Sequence, residues 1–95
     1  MPEMRFHIRW PDGTEERCYS PSLVIKDFFV PGAAYAVPDF LARSRDALTI
    51  ASDRVAARYG MPCSLALGQL QRIEAAGRAF AASPDAQVTV LLFED

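Results

Sequence analysis

Ninety-five residues, 51% hydrophobic and 23% charged, fit one globular domain over 1–95, because two separate cores would each be too small to be stable. Ten basic against twelve acidic side chains, a net charge of −2, give no electrostatic footprint for nucleic acid or an anionic membrane surface. No run approaches the ~18–20 apolar residues that span a bilayer, and Met1 to Phe6 lacks the regions of a signal peptide, so the chain reads as cytoplasmic.

Residues 4–10 alternate: Met4, Phe6, Ile8 and Trp10 on one side, Arg5, His7 and Arg9 on the other. That period of two predicts a strand with one buried face. Pro11-Asp12-Gly13-Thr14 is a turn, and Glu15–Ser20 returns as the second strand of a hairpin. Ser20-Pro21 ends it, and Leu23 to Phe29 is a short helix or an irregular apolar segment. Ala33 to Val37 is expected to be extended, because Val37 precedes a proline.

Pro38 to Tyr59 repeats Leu41, Leu48, Ala51, Val55 and Tyr59 at helical spacing, with Ser44 interrupting the stripe. Gly60 and Pro62 end that helix. A second helix runs from Pro62 or Ser64 to Ala82, with Ala66, Leu70, Ile73, Gly77 and Phe80 on one face; Gly68 and Gly77 lower its propensity or allow close helix approach. The short link makes the two helices antiparallel neighbours. Val88 to Phe93 is the last strand, apolar at almost every position, which predicts that both its faces are covered.

The expected fold is α+β: a ββααβ chain whose three-stranded mixed sheet carries two antiparallel helices on one face. The last strand is expected to run parallel to the first and beside it, in order 2-1-3; antiparallel pairing to the second strand is the alternative.

The sequence holds no recognisable catalytic constellation. Cys18 is expected to face inward and His7, the one histidine, outward, so they form no nucleophile–base pair. Cys18 and Cys63 read as reduced, partly buried thiols. Zinc would need four ligands, and Cys18, Cys63, His7 and one carboxylate are a poor set. There is no glycine-rich phosphate loop, and no cofactor is expected. The arginines of the long helix, Arg43, Arg45, Arg54 and Arg58, are interleaved with Asp46 and Asp53 and read as a solvated face.

One surface stands out. The outer sheet face presents Arg5, His7, Arg9, Arg17 and Tyr19, joined by Leu91 and Phe93 or the alternate set, depending on register. Arginine and aromatics on an open face suit a subunit interface. A single-stranded nucleic-acid platform shares that composition, but the net acidic charge disfavours it.

Met4-Arg5-Phe6 with Trp10-Pro11-Asp12-Gly13, Cys18-Tyr19-Ser20-Pro21-Ser22, Phe40 to Arg45, Ile50 to Val55, and Tyr59-Gly60-Met61-Pro62-Cys63-Ser64 together resemble a family of small bacterial nitrogen starvation response proteins. These are encoded beside a nitrilase in a conserved gene cluster. The resemblance covers nearly the whole chain and carries no catalytic residues. It implies nitrile or cyanide nitrogen use as the setting and an enzyme of that cluster as a partner. It marks Cys18, Ser20, Ser22, Arg43, Ser44, Arg54, Tyr59, Cys63 and Ser64 as positions to mutate.

The expected function is therefore a non-enzymatic accessory or interaction protein, acting as a homo-oligomer or docking on a partner through its sheet face. The alternative is a small thiol-dependent enzyme or small-molecule binder in which Cys18 or Cys63 meets Ser20, Ser22 and Ser64.

Overall fold

The computed structural model describes residues 2–95. The chain runs β1 (Met4–Arg9), β2 (Glu15–Ser20), α1 (Ile25–Phe28), β3 (Ala34–Ala36), α2 (Val37–Tyr59), α3 (Ser64–Arg78) and β4 (Gln87–Glu94).

β1 and β2 form the expected hairpin, with Phe6 opposite Cys18 and His7 opposite Arg17. In the turn, Thr14 N–H donates to the Asp12 carboxylate at 2.9 Å, and this bond lowers the Asp12 pKa.

The sheet has four strands in the order β2-β1-β4-β3, and every pairing is antiparallel. The expected three-stranded mixed sheet is corrected on both counts, although the last strand does lie beside the first. The cause is one short element. Ala34–Ala36 is a strand, paired to β4 through Tyr35 opposite Val88. It returns the chain along the direction of β1 before the two helices run down and back. β4 therefore enters antiparallel to β1.

α2 starts on Val37-Pro38, with proline in its first turn, and stops at Gly60 in the left-handed conformation (φ 83°), whose N–H bonds the Ala56 carbonyl at 2.8 Å. Any side chain at residue 60 would be strained there. α2 buries Val37, Phe40, Ser44, Ala47, Leu48, Ala51 and Ser52. Leu41 and Val55 are half-buried and Tyr59 is exposed, so the last turns of α2 project past the core. α3 buries Ala66, Gln69, Leu70, Ile73 and Gly77. A Cβ at Gly77 would stand 2.7 Å from a Leu41 methyl, so this glycine is where the two helices close up.

The core lies between the inner sheet face and the helices. Phe29 is its hub, stacked with Phe6 (centroids 6.3 Å apart) and against Phe40 and Tyr35 (5.2 Å each). Trp10 stacks on Phe80 at 5.9 Å, meets Phe40 edge-on at 5.6 Å, and donates its indole N–H to Glu16 at 2.9 Å.

Candidate functional site

The outer sheet face follows from the strand alternation. β1 presents Arg5, His7 and Arg9, and β2 presents Glu15, Arg17 and Tyr19. On β4 the register slips between His7 and Ile8: Ile8 pairs Val90, whereas His7 pairs Leu92. Leu91 is the extra residue of this β-bulge. The slip decides which half of the strand faces out. Leu92 joins the outer face and is 45% exposed. Phe93, opposite Phe6, packs against the core instead, and Leu91 is half-buried. Among the described residues no element of the chain itself lies over Leu92, so the fold covers one face of this strand and leaves the other open.

Glu94 organises the charge on this face. It accepts two hydrogen bonds from Arg17, at 2.7 and 3.1 Å, and a third from His7. Arg17 and then His7 hold its carboxyl down to a pKa of about 2, well below the ordinary 4.5. Arg9 pairs with Glu15 at 3.2 Å. Arg5 stacks its guanidinium over Tyr19, 4.5 Å from the ring centre. Apart from Arg5, each basic group of this face thus sits beside an acidic one, with a leucine among them.

At the β2 edge, α3 extends the face. The Tyr19 N–H points away from β1 and donates to the buried Gln69 side-chain oxygen at 3.0 Å, which also accepts from Arg72 at 3.0 Å. α3 thereby covers an edge strand that would otherwise be open to pairing with another chain. It also brings Leu65, 66% exposed, beside Tyr19. Between them lies a cleft of about 290 Å³ lined by Glu3, Arg5, Tyr19, Ser64, Leu65, Gly68 and Arg72. Leu65, Gln69 and Arg72 were missed in the sequence because nothing in a helical stripe reports which sheet edge it will meet.

The positions marked by the family resemblance serve several ends. Ser20 and Ser22 are buried and tie the turn after β2: the Ser20 hydroxyl donates to the Ser22 carbonyl at 2.7 Å. Arg54 donates to the Ser22 hydroxyl at 2.9 Å, fastening α2 to that turn. Arg43 donates to the Phe28 carbonyl at 2.8 Å and to Asp39 at 3.0 Å, and lies over the Tyr35 ring. Ser44 is fully buried, and its hydroxyl has no partner among the described residues. Tyr59 is exposed at the end of α2. Ser64 lines the cleft. Cys63 precedes α3 half-buried, its N–H bonded to the buried Ser52 hydroxyl at 3.1 Å.

The thiol chemistry considered for Cys18 finds no support in its surroundings. Cys18 is fully buried on the inner face, and burial, with Glu16 nearby, pushes its pKa up to about 12. His7 stands on the opposite face. Ser20 and Ser22 spend their hydroxyls on the turn and on Arg54. Among the described residues no three histidine, cysteine or acidic side chains cluster as metal ligands. An aromatic disulfide reagent at pH 8 is expected to label one thiol, Cys63, within minutes and Cys18 only on unfolding, since burial leaves Cys18 almost no thiolate. Fast labelling of both would overturn this assignment.

Among the described residues no helix is long and apolar enough to cross a membrane. A family model described as "Nitrogen starvation-induced protein NitG" matches residues 5–93. No curated protein and no solved structure matches the chain.

Proposed function

The chain belongs to the nitrogen starvation-induced protein NitG family, and from that premise we propose that it is a non-enzymatic interaction protein whose open sheet face seats a second copy of itself. The observation that carries the reading is Leu92, 45% exposed on β4 among Arg17, His7, Glu94, Arg9 and Glu15. An exposed apolar residue ringed by polar ones is the anatomy of an interface centre with its rim.

The charge pattern favours a second copy as occupant. A two-fold interface brings each residue of a patch against its mate in the partner. A patch with both signs interspersed can complement itself, whereas one of a single sign repels itself. Here Arg9 stands beside Glu15, and Arg17 and His7 beside Glu94. Nucleic acid would require a surplus of free cations, and Arg9, Arg17 and His7 each already sit beside an acidic side chain of the same chain.

Magnitude sets the strength. Four strands at ~4.8 Å and six residues at ~3.4 Å give a footprint of roughly 400 Å² in projection. Doubled for two copies, that stays below the ~1,200–2,000 Å² of standard interfaces, so the dimer is weak and reversible, in the micromolar range or above. The nitrogen-starvation setting then gives association a use: the protein responds to its own abundance, or docks by the same face on an enzyme of the nitrilase-associated cluster that the resemblance implies.

Sedimentation across a concentration series tests this. The wild type is expected to pass from monomer to dimer through the tens of micromolar. Leu92→Asp is expected to weaken that passage at least about tenfold, by placing a charge at the desolvated centre. A monomer throughout, or a Leu92→Asp protein that dimerises as the wild type does, would remove the reading.

A further inference from the structure

The cleft at the β2 edge combines features that general packing does not require. Its floor is Gly68, in the interior of α3. Glycine there costs helix stability relative to alanine. At Gly77 the fold has a reason for that cost, because Leu41 occupies the space a Cβ would need. At Gly68 it has none: a Cβ would meet nothing within 4 Å. What the missing side chain leaves open is the cleft itself, about 290 Å³ between Leu65 on one wall and Tyr19 on the other.

Two guanidinium groups line this space. Among the described residues Arg72 makes one hydrogen bond, to the neutral Gln69 amide, and no ion pair. Arg5 lies over Tyr19, with Glu3 at 3.8 Å. That contact sits at the outer limit of an ion pair, and Glu3 is well exposed, so it neutralises Arg5 weakly. The Ser64 hydroxyl completes the polar lining. The walls are apolar and aromatic, the charged donors Arg5 and Arg72 are cationic, and the exposed Glu3 is the one acidic group of the lining.

We propose that this cleft binds a small organic carboxylate with an apolar body, its carboxylate held by Arg72 and Arg5 and its body seated between Tyr19 and Leu65. Guanidinium groups match carboxylates through paired, charge-assisted hydrogen bonds. The aromatic and leucine walls suit a flat or compact apolar group. The volume limits the ligand to on the order of ten non-hydrogen atoms. The site goes beyond the self-association reading: it opens past the β2 edge, two strands from Leu92, and shares with that face only Arg5 and Tyr19.

Benzoate, acetate and benzylamine, titrated into the ¹⁵N-labelled full chain and followed by NMR, test the site. Benzoate is expected to shift the amides of Tyr19, Leu65, Gly68 and Arg72 and to saturate. Acetate should bind more weakly for lack of an apolar body, and benzylamine should leave those signals in place. Arg72→Ala is expected to weaken benzoate at least about tenfold, the loss of one charge-assisted contact. Gly68→Leu should weaken it similarly by filling the floor. Glu3→Gln should tighten it about two- to threefold by freeing Arg5.

Leucine is a better helix former than glycine, so Gly68→Leu should melt no lower than the wild type. Leu92→Asp should bind benzoate as the wild type does, which separates this site from the association reading. Benzylamine shifting the same amides as strongly as benzoate, or Arg72→Ala and Gly68→Leu both binding unchanged, would overturn the proposal. So would benzoate leaving those four signals unmoved.

Discussion

Phe29→Ala is expected to lower the stability of the protein by about 3–5 kcal/mol, the usual cost of removing a fully buried aromatic side chain. Phe29 is 1% exposed and touches three elements: Phe6 on β1, Tyr35 on β3 and Phe40 on α2. Truncation removes the transfer free energy of the ring and three aromatic contacts together. It leaves a cavity that strands on one side and a helix on the other cannot easily close. A domain of this size holds on the order of 5–10 kcal/mol in all, so a large share of the protein would be unfolded near physiological temperature. Urea unfolding followed by tryptophan fluorescence reads this directly, since Trp10 packs in the same cluster. The midpoint should fall steeply with little change in slope. Phe29→Leu, which keeps most of the volume, should cost far less. A loss under about 1 kcal/mol for the alanine variant would contradict this account of the core.

Gln69→Leu is the second large effect, about 1–3 kcal/mol, from leaving a polar group without its partner. The Gln69 side-chain oxygen accepts from the Tyr19 N–H and from Arg72, and its side chain is 1% exposed. Leucine is nearly its size, so packing survives while the Tyr19 N–H loses its acceptor inside a covered edge. Gln69→Glu keeps an oxygen in place and gives Arg72 a charged partner, so it should recover much of the loss. Amide exchange at Tyr19 is the local readout, expected to rise in Gln69→Leu well beyond the global change. Because α3 shields an edge strand at this point, the same variant should also aggregate sooner on heating. Unchanged exchange at Tyr19 would mean that Gln69 is not what protects the edge.

Much of the fold was legible because its signals are local. The alternation from Met4 to Trp10 marks a half-buried strand, Pro38 and Gly60 bracket α2, and Ala66, Leu70, Ile73 and Gly77 mark the buried face of α3. The errors came from pairings that no local pattern encodes. Ala34-Tyr35-Ala36 is too short to alternate visibly and becomes a strand through its partner: just before it, the Gly32 N–H donates to the Val90 carbonyl at 2.7 Å and the Val90 N–H donates to the Ala33 carbonyl at 2.9 Å. Missing it reversed the expected direction of β4. The bulge at Leu91 is likewise a property of two strands in register, so whether Leu92 or Phe93 faces out could not be read from a run of apolar residues.

The candidate surface was legible on β1 and β2, where charge and apolar residues alternate cleanly, and not at its α3 border. A buried glutamine reads as surface in sequence and declares itself only when a strand edge needs an acceptor. Gly68 and Gly77 look alike in the sequence. The structure separates them, one pressed against Leu41 and the other open to the cleft.

The most direct test of the sheet face as the working surface is an isotope-filtered NOE experiment on a mixed sample of labelled and unlabelled chains at high concentration. Leu92 methyl protons in one copy should show cross-peaks to residues of the outer face in the other, among them His7, Arg17 or Leu92 itself. A spectrum with no intermolecular contacts from Leu92, together with Leu92 methyls broadened by a soluble paramagnetic agent as fully as the exposed Leu65 methyls, would contradict it.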